Sequence, residues 1–387
     1  MKEKVRYTFI DLLRGWAIII MIEVHVFNAF LLPELKLSGW FDILTFVNGL
    51  VAPAFLFVSG FAFQVSSGGK LDDMRKLKSP FWKKLWRYFS IILIGYALHL
   101  PHYSLSKVLN KSTPEQLQSF FAVDVLQCIG VGLLVLFALR LIIRSDKIFH
   151  YTLIVLTLFV MFISPFFWKM EFTNYFHHVF ANYFNRTNGS LFPVFPWINF
   201  ILVGAIFAKY FLDAAGKGKE EKFIKATTFS GIIMLLSGHL FYSGLFPDYL
   251  TSIIPHPIFF IERLGYVLVF ATLCWYYNKW RNTRQSFVLD ASRESLLIYW
   301  LHLVIIYNTL LGKQSLANII GQTLNVWESI ATTLLLMTLM ILVAKIWGWA
   351  KMNFSLLNFC ARKKPSSGSL IITSRMMRSG FFSLTIL

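Results

Sequence analysis

Residues 6–30 read RYTFIDLLRGWAIIIMIEVHVFNAF, a run long enough to cross a bilayer as a helix but interrupted by Asp11, Arg14, Glu23 and His25. An ionised side chain near a bilayer centre costs roughly 2.5–3.5 kcal/mol on insertion scales, so such residues face a protein interior or a wet cavity and mark a functional path. At about 3.6 residues per turn, Asp11, Arg14 and His25 fall within a sector of about 60°, a face not meant for lipid. Asp11 and Arg14 are placed to pair at i,i+3. His25 lies about 16 Å further along the axis from Arg14. The helix is expected to carry a charged site near one membrane surface and a titratable base near the other.

Composition sets the class around this helix. The chain has 387 residues, 56% hydrophobic and 14% charged, where a soluble domain of this length would carry about 25% charged residues. The reading is an all-α integral membrane protein whose first partner is the lipid bilayer. A net charge of +18 invites a nucleic-acid partner, but the Lys and Arg residues sit in short connections between apolar runs, where they set membrane orientation. No nucleic-acid partner is expected. Cys128, Cys274 and Cys360 show no metal-like spacing, so neither a disulfide framework nor a metal site is expected.

Apolar segments of spanning length fall at about 8–31, 41–66, 82–100, 120–139, 149–168, 193–211, 224–245, 255–276, 288–311 and 326–350. They predict a bundle of about ten transmembrane helices. With the N-terminus cytoplasmic, 29 of the 37 basic residues fall in inside segments, and every inside segment outweighs its outside neighbours. Both termini are therefore expected in the cytoplasm. No small-residue cleavage pattern follows the first apolar run, which is read as a retained span. Residues 1–360 form the polytopic domain, and 361–387, basic and without a helical apolar period, are expected to be a disordered or membrane-surface tail. Chemistry must then use helix interiors and short loops. Asn185-Arg-Thr, Asn188-Gly-Ser and Asn110-Lys-Ser match glycosylation acceptors, a short pattern common by chance.

His25 is the first candidate for chemistry, because a histidine is partly neutral at working pH and can take a proton from a hydroxyl or an amine. Arg14 offers a fixed planar cation suited to phosphate, with Asp11 to orient it, although the pair could equally be a structural neutralisation. Lys83, Lys84 and Arg87 concentrate positive charge in the 67–87 segment. In PAFLFVSG (53–60), Gly60 reads as a helix-packing position. Asp124 and Gln127, in VDVLQCIG (123–130), are adjacent on a helix and are read as lining a site, against the blander reading of polar residues at a helix end. FPVFPWINFILVGA (192–205) fixes Trp197 and Asn199 near a helix entry, where a tryptophan is often only an interfacial anchor. Glu262 and Arg263, adjacent in sequence, are expected to pair with other helices rather than with each other. Ser295, Tyr299 and His302 in SLLIYWLH (295–302) form one helical stripe.

The ordered set of Arg6, IDLLRG with a histidine ten residues after Gly15, PAFLFVSG, DVLQCIG, FPVFPWINFILVGA and SLLIYWLH resembles a superfamily of membrane acyltransferases. One group is the lysosomal heparan-α-glucosaminide N-acetyltransferase and its bacterial relatives; the other is the acyltransferase type 3 family of surface-sugar modifiers. The resemblance covers about residues 6–310. It implies that an acyl group, acetyl above all, passes from cytoplasmic acyl-CoA to an amine or hydroxyl of a sugar or glycolipid outside. In the type 3 family the histidine and arginine matching His25 and Arg14 are held essential. The first outside loop here, Leu31–Gly39, has no histidine where the lysosomal enzyme places its own, which leaves the role to His25 by the type 3 analogy. Acetyl-CoA or another acyl-CoA is the implied co-substrate, held by Arg14, Lys83, Lys84 and Arg87. Asp124, Gln127, Trp197, Asn199, Tyr299 and His302 would line the acceptor. His25 would act as general base or as an acyl-carrying nucleophile. In a bacterium the location would be the cytoplasmic membrane. The rival class is a proton-coupled transporter or flippase using the same intramembrane charges, which internal repeats would favour; the two sets of five spans show no convincing similarity.

Overall fold

The structure, a computed structural model, describes residues 6–67, 71–100, 112–282, 285–308 and 314–363. Its long elements are α1 (Thr8–Phe30), α2 (Gly39–Asn48), α3 (Val51–Ser67), α4 (Ser79–Leu98), α5 (Val125–Ile142), α6 (Asp146–Lys169), α7 (Val194–Gly216), α8 (Glu220–Tyr242), α9 (Pro257–Arg281), α10 (Phe287–Arg293), α11 (Ser295–Tyr307) and α12 (Val326–Lys363). Among the described residues the only extended pairing is one isolated bridge, Leu31 with Leu324. The fold is nearly all helical, as the composition predicts.

Seven helical segments are long and apolar enough to cross a bilayer: Gly39–Ser67, Val125–Ile142, Asp146–Lys169, Val194–Gly216, Glu220–Tyr242, Pro257–Arg281 and Val326–Lys351. They mark an integral, multi-pass membrane protein. α1 has 23 residues and α4 has 20, so each reaches at least about 30 Å at about 1.5 Å per residue.

Two expected spans are each built from two consecutive helices, and the first of them is still one segment long enough to cross. The run at 41–66 divides at Gly49 and Leu50 into α2 and α3. Pro53, in the first turn of α3, has no N–H to give, a loss that costs nothing at a helix start. The run at 288–311 divides at Glu294 into α10 and the 13-residue α11. Ser286 caps α10, its side chain accepting from Leu289 N at 3.2 Å. α12 runs on to Lys363, past the start expected for the tail, whose remainder lies outside the described residues.

The chain divides into two compact units, one of residues 1–17 and 43–282 and the other of residues 18–42 and 283–387. In the first unit, helix crossings are set by glycine. A Cβ on Gly60 would lie 1.9 Å from the Ile201 carbonyl oxygen, and one on Gly204 would lie 2.0 Å from that of Phe57. α3 and α7 therefore meet backbone to backbone, a closeness that only glycine permits. A Cβ at Gly265 would sit 2.6 Å from Leu235 N, and one at Gly238 would sit 2.4 Å from Glu262 Cβ, which brings α8 against α9 in the same way. Tyr7 and Phe9 close an aromatic cluster with Phe61 and Phe211, fixing the start of α1.

The loop between α6 and α7 is tied down by side chains. Asn185 Nδ2 donates to the Phe167 and Met170 carbonyls at 3.1 and 2.6 Å, holding one of the last carbonyls of α6 and that of its C-cap residue. Asn182 Nδ2 donates to Phe121 O at 2.8 Å. Asn185 is 2% exposed, so its amide is spent on the fold and cannot serve as a glycan acceptor. Asn110 lies outside the described residues.

In the second unit, Leu32 N donates to Leu324 O and Leu324 N to Phe30 O, at 3.0 and 2.9 Å, tying the end of α1 to the segment before α12. Glu294, at the break between α10 and α11, meets Lys351 of α12 at 2.6 Å, and Asp290 accepts from Arg293 at 3.0 Å. The break that interrupts the expected span is thus pinned by charge.

Candidate functional site

In the first unit, Asp11 is 8% exposed and Arg14 2%. Asp11 sits in the first turn of α1, where a carboxylate is favoured by the helix dipole. Its Oδ1 accepts from Arg14 Nη2 at 2.9 Å, and its Oδ2 accepts from Arg6 Nε. One carboxylate thus serves two guanidinium groups, leaving a net positive end on α1. Such an end can fix an anion such as phosphate, since guanidinium donors are arranged in a fork.

The cations of α4, Lys83, Lys84 and Arg87, fall within about 100° of one another around the helix. Lys84 Nζ donates to Ser67 Oγ at 3.0 Å and lies 5.2 Å over the Phe63 ring. Lys83 is exposed and Arg87 half-buried. Lys84 is anchored to the end of α3, while Lys83 keeps its charge in the open.

Asp124 and Gln127 build the start of α5. Asp124 is the N-cap, its Oδ1 accepting from Val125 N at 2.7 Å, and Gln127 Oε1 accepts from Asp124 N at 3.3 Å. This reciprocal arrangement is a capping box. Gln127 is fully buried, and its Nε2 has no hydrogen-bond partner among the described residues. Gly95 makes room for the amide, since a Cβ there would lie 2.6 Å from it.

Trp197 and Asn199 both lie in α7, two residues apart, and so point to opposite sides of it. Trp197 packs edge-on against Phe192 and Phe259, with ring centroids 4.8 and 5.8 Å away. Asn199 is 0% exposed, and neither Nδ2 nor Oδ1 has a partner among the described residues. A buried amide open at both ends is an unusual expense for a fold.

Glu262 and Arg263 correct one expectation. They do approach each other, Arg263 Nη1 lying 3.8 Å from Glu262 Oε2, while Glu262 also reaches His239 Nδ1 at 4.0 Å. Arg263 lays its guanidinium 3.8 Å from the Phe259 ring centroid. Adjacent residues on one helix diverge by about 100°, but long side chains close that gap.

In the second unit, three residues from two helices come together. The ring centroid of His25, on α1, is 5.2 Å from that of His302, on α11. Tyr307, at the last position of α11, donates from Oη to the His25 backbone carbonyl at 3.2 Å, and the same oxygen lies 3.4 Å from His25 Nδ1. A hydroxyl has one proton. If that proton goes to the carbonyl, the Nδ1 contact is made by a ring N–H, which leaves His25 Nε2 with the lone pair. Tyr299 sets its ring at 88° to that of His302, with centroids 5.9 Å apart. His302 is 0% exposed and Tyr299 6%.

The structure therefore gathers His25, Tyr299 and His302 in one unit, and places Asp11, Arg14, Lys83, Lys84, Arg87, Asp124, Gln127, Trp197 and Asn199 in the other. Tyr307 escaped the sequence reading. It sits five residues beyond His302, off its stripe, and a tyrosine at a helix end carries no signal of its own. Among the described residues no group of three or more His, Cys, Asp or Glu side chains could hold a metal ion. What the gathered residues can do is proton transfer, between a histidine lone pair and an N–H or O–H brought against it.

A family described as "Heparan-alpha-glucosaminide N-acetyltransferase, catalytic" matches residues 6–242, more than half of the chain. Comparison with curated proteins finds no match.

Proposed function

The chain belongs to the heparan-alpha-glucosaminide N-acetyltransferase catalytic family, and from that premise we propose that it moves an acetyl group from acetyl-CoA to an amine or hydroxyl of a sugar on an extracytoplasmic glycan or glycolipid. The observation that carries the proposal is the pairing of His25 with His302 and Tyr307 inside a membrane protein. A purely structural bundle has no use for a half-buried imidazole set beside a fully buried one, where apolar packing is cheaper.

In this reading ten segments cross the membrane, α1 and α4 among them, with both termini in the cytoplasm. Asp11 holds Arg14, and Arg14 with Lys83, Lys84 and Arg87 faces the phosphates of acetyl-CoA at the cytoplasmic mouth. The residue types fit that substrate, being guanidinium and ammonium groups beside hydroxyls at Ser66 and Ser67. Tyr299 and His302 line the acceptor's path in the second unit, and Asp124, Gln127, Trp197 and Asn199 are its proposed lining in the first.

The reaction places its proton on His25. The acceptor nitrogen or oxygen attacks the thioester carbonyl carbon while His25 Nε2 takes its proton. The C–S bond then breaks, and the imidazolium returns the proton to the leaving thiolate, giving CoA thiol and the acetylated sugar. Tyr307 favours the ring tautomer whose lone pair is on Nε2.

Membranes containing the wild type are given acetyl-CoA labelled in the acetyl group together with oligosaccharides ending in glucosamine. Label in the sugar supports the proposal; label that remains in acetyl-CoA or passes only to water contradicts it.

A further inference from the structure

His302 is held differently from His25. Its Nδ1 lies 2.6 Å from the carbonyl oxygen of Ile298, one turn earlier on α11. A carbonyl can only accept, so Nδ1 carries the proton and donates. The neutral ring must then present Nε2 as a lone pair. That atom is buried in a residue 0% exposed, and it has no hydrogen-bond partner among the described residues. A buried acceptor left without a donor is costly, and native folds fill such positions with protein, water or ligand; His150 Nε2 is open in the same way, but only His302 has a second imidazole beside it.

The surroundings say what the ligand brings. Beside His302 are the His25 ring at 5.2 Å and the Tyr299 ring at 5.9 Å between centroids. His25 is half-buried while His302 is sealed, so a proton taken up at His302 would place a charge in the interior with only a backbone carbonyl to meet it. The two histidines thus suit different tasks. We propose that His302 remains neutral and uses Nε2 to accept a hydrogen bond from the sugar's own N–H or O–H, selecting an acceptor that carries a donor there and holding its nucleophilic atom beside His25. This rests on the acetyltransferase reading and adds to it a residue that determines acceptor specificity.

The test separates the two. Purified wild-type protein in nanodiscs is assayed with acetyl-CoA and with glucosamine-terminated oligosaccharide, each varied at saturating levels of the other. His302→Leu should raise KM for the oligosaccharide about ten- to a hundredfold, the range for losing one buried hydrogen bond to substrate, while KM for acetyl-CoA stays within about twofold. His302→Gln, whose amide oxygen reaches the position of Nε2, should recover most of the loss. If His302→Leu fails to accumulate, His302→Asn takes its place, since its amide stops short of that position. A second readout is independent of turnover: in protein labelled with 15N histidine, the resonances lost in His302→Gln should be those of an Nδ1–H tautomer. Unchanged KM for the oligosaccharide, an equal fall in kcat with both variants, or an Nε2–H tautomer would overturn the role of His302 while leaving acetyl transfer intact. No transfer by the wild type would overturn the acetyltransferase reading, and this inference with it.

Discussion

The two units handle buried polarity in opposite ways. At Asp11 the fold satisfies both carboxylate oxygens with guanidinium donors from Arg6 and Arg14. In the other unit His302 is held at one nitrogen and left open at the other. The first arrangement pairs its carboxylate fully where water is scarce and leaves one positive charge over. The second is incomplete until something with a proton to share arrives. The difference teaches that burial and charge alone do not mark a binding group; at His302 the sign is a valence left unfilled beside the ring of His25.

The largest effect that would break this contrast belongs to His25. A positioned general base contributes about 10²–10⁴-fold in rate, so His25→Ala should lose acetyl transfer by that factor at near-normal expression. His25→Asn should fall as far, because an amide can hold Tyr307 but cannot take a proton. Transfer within a fewfold of wild type in either variant would move the base elsewhere.

Arg14 comes next, with a loss of stability ahead of chemistry. Arg14→Ala leaves Asp11 with only the partly exposed Arg6 in an apolar setting, a change worth about 3–5 kcal/mol, read as poor recovery of monodisperse protein. Arg14→Lys should fold yet bind acetyl-CoA more weakly, since an ammonium cannot replace a planar fork. Normal affinity in the Lys variant would make Arg14 a structural partner only.

These contrasts bear on what the sequence disclosed. The charged helix at 8–30 was plain because Asp11, Arg14 and His25 interrupt an apolar run with helical spacing, and the membrane class followed from composition. The break at Glu294 was hidden, since VLDASRESLLIYWLH keeps an apolar period through it, and the Lys351 contact that pins it comes from a segment 57 residues away. The pairing of α1 with α11 was not readable either: Tyr307 and His25 are 282 residues apart, and nothing in one sequence reports which helices touch. Asp124 and Gln127 show the converse. Their D-x-x-Q spacing before an apolar run is a visible capping signal, and the structure uses it as one, whatever else Gln127 Nε2 meets. Gly60 was readable as a packing position, and the structure supplies its partner, the Ile201 carbonyl.

That partner yields a smaller effect. Gly60→Ala would put a methyl 1.9 Å from the Ile201 oxygen and push α3 from α7, costing about 1–3 kcal/mol. Thermal unfolding in detergent should show the drop, while Gly216→Ala, with nothing within 4 Å of its Cβ, should show none. The smallest expected effect is at Lys84. Lys84→Gln keeps the bond to Ser67 but removes the charge, and should raise KM for acetyl-CoA about three- to tenfold with kcat unchanged. An unchanged KM would take Lys84 out of the donor site.

The most direct measurement of the whole account is acetyl transfer by purified protein, wild type against His25→Asn, from labelled acetyl-CoA to a glucosamine-terminated oligosaccharide. The account predicts labelled sugar from the wild type and at least a hundredfold less from the variant. Equal transfer by the two, or none by the wild type with intact acetyl-CoA recovered, would contradict it.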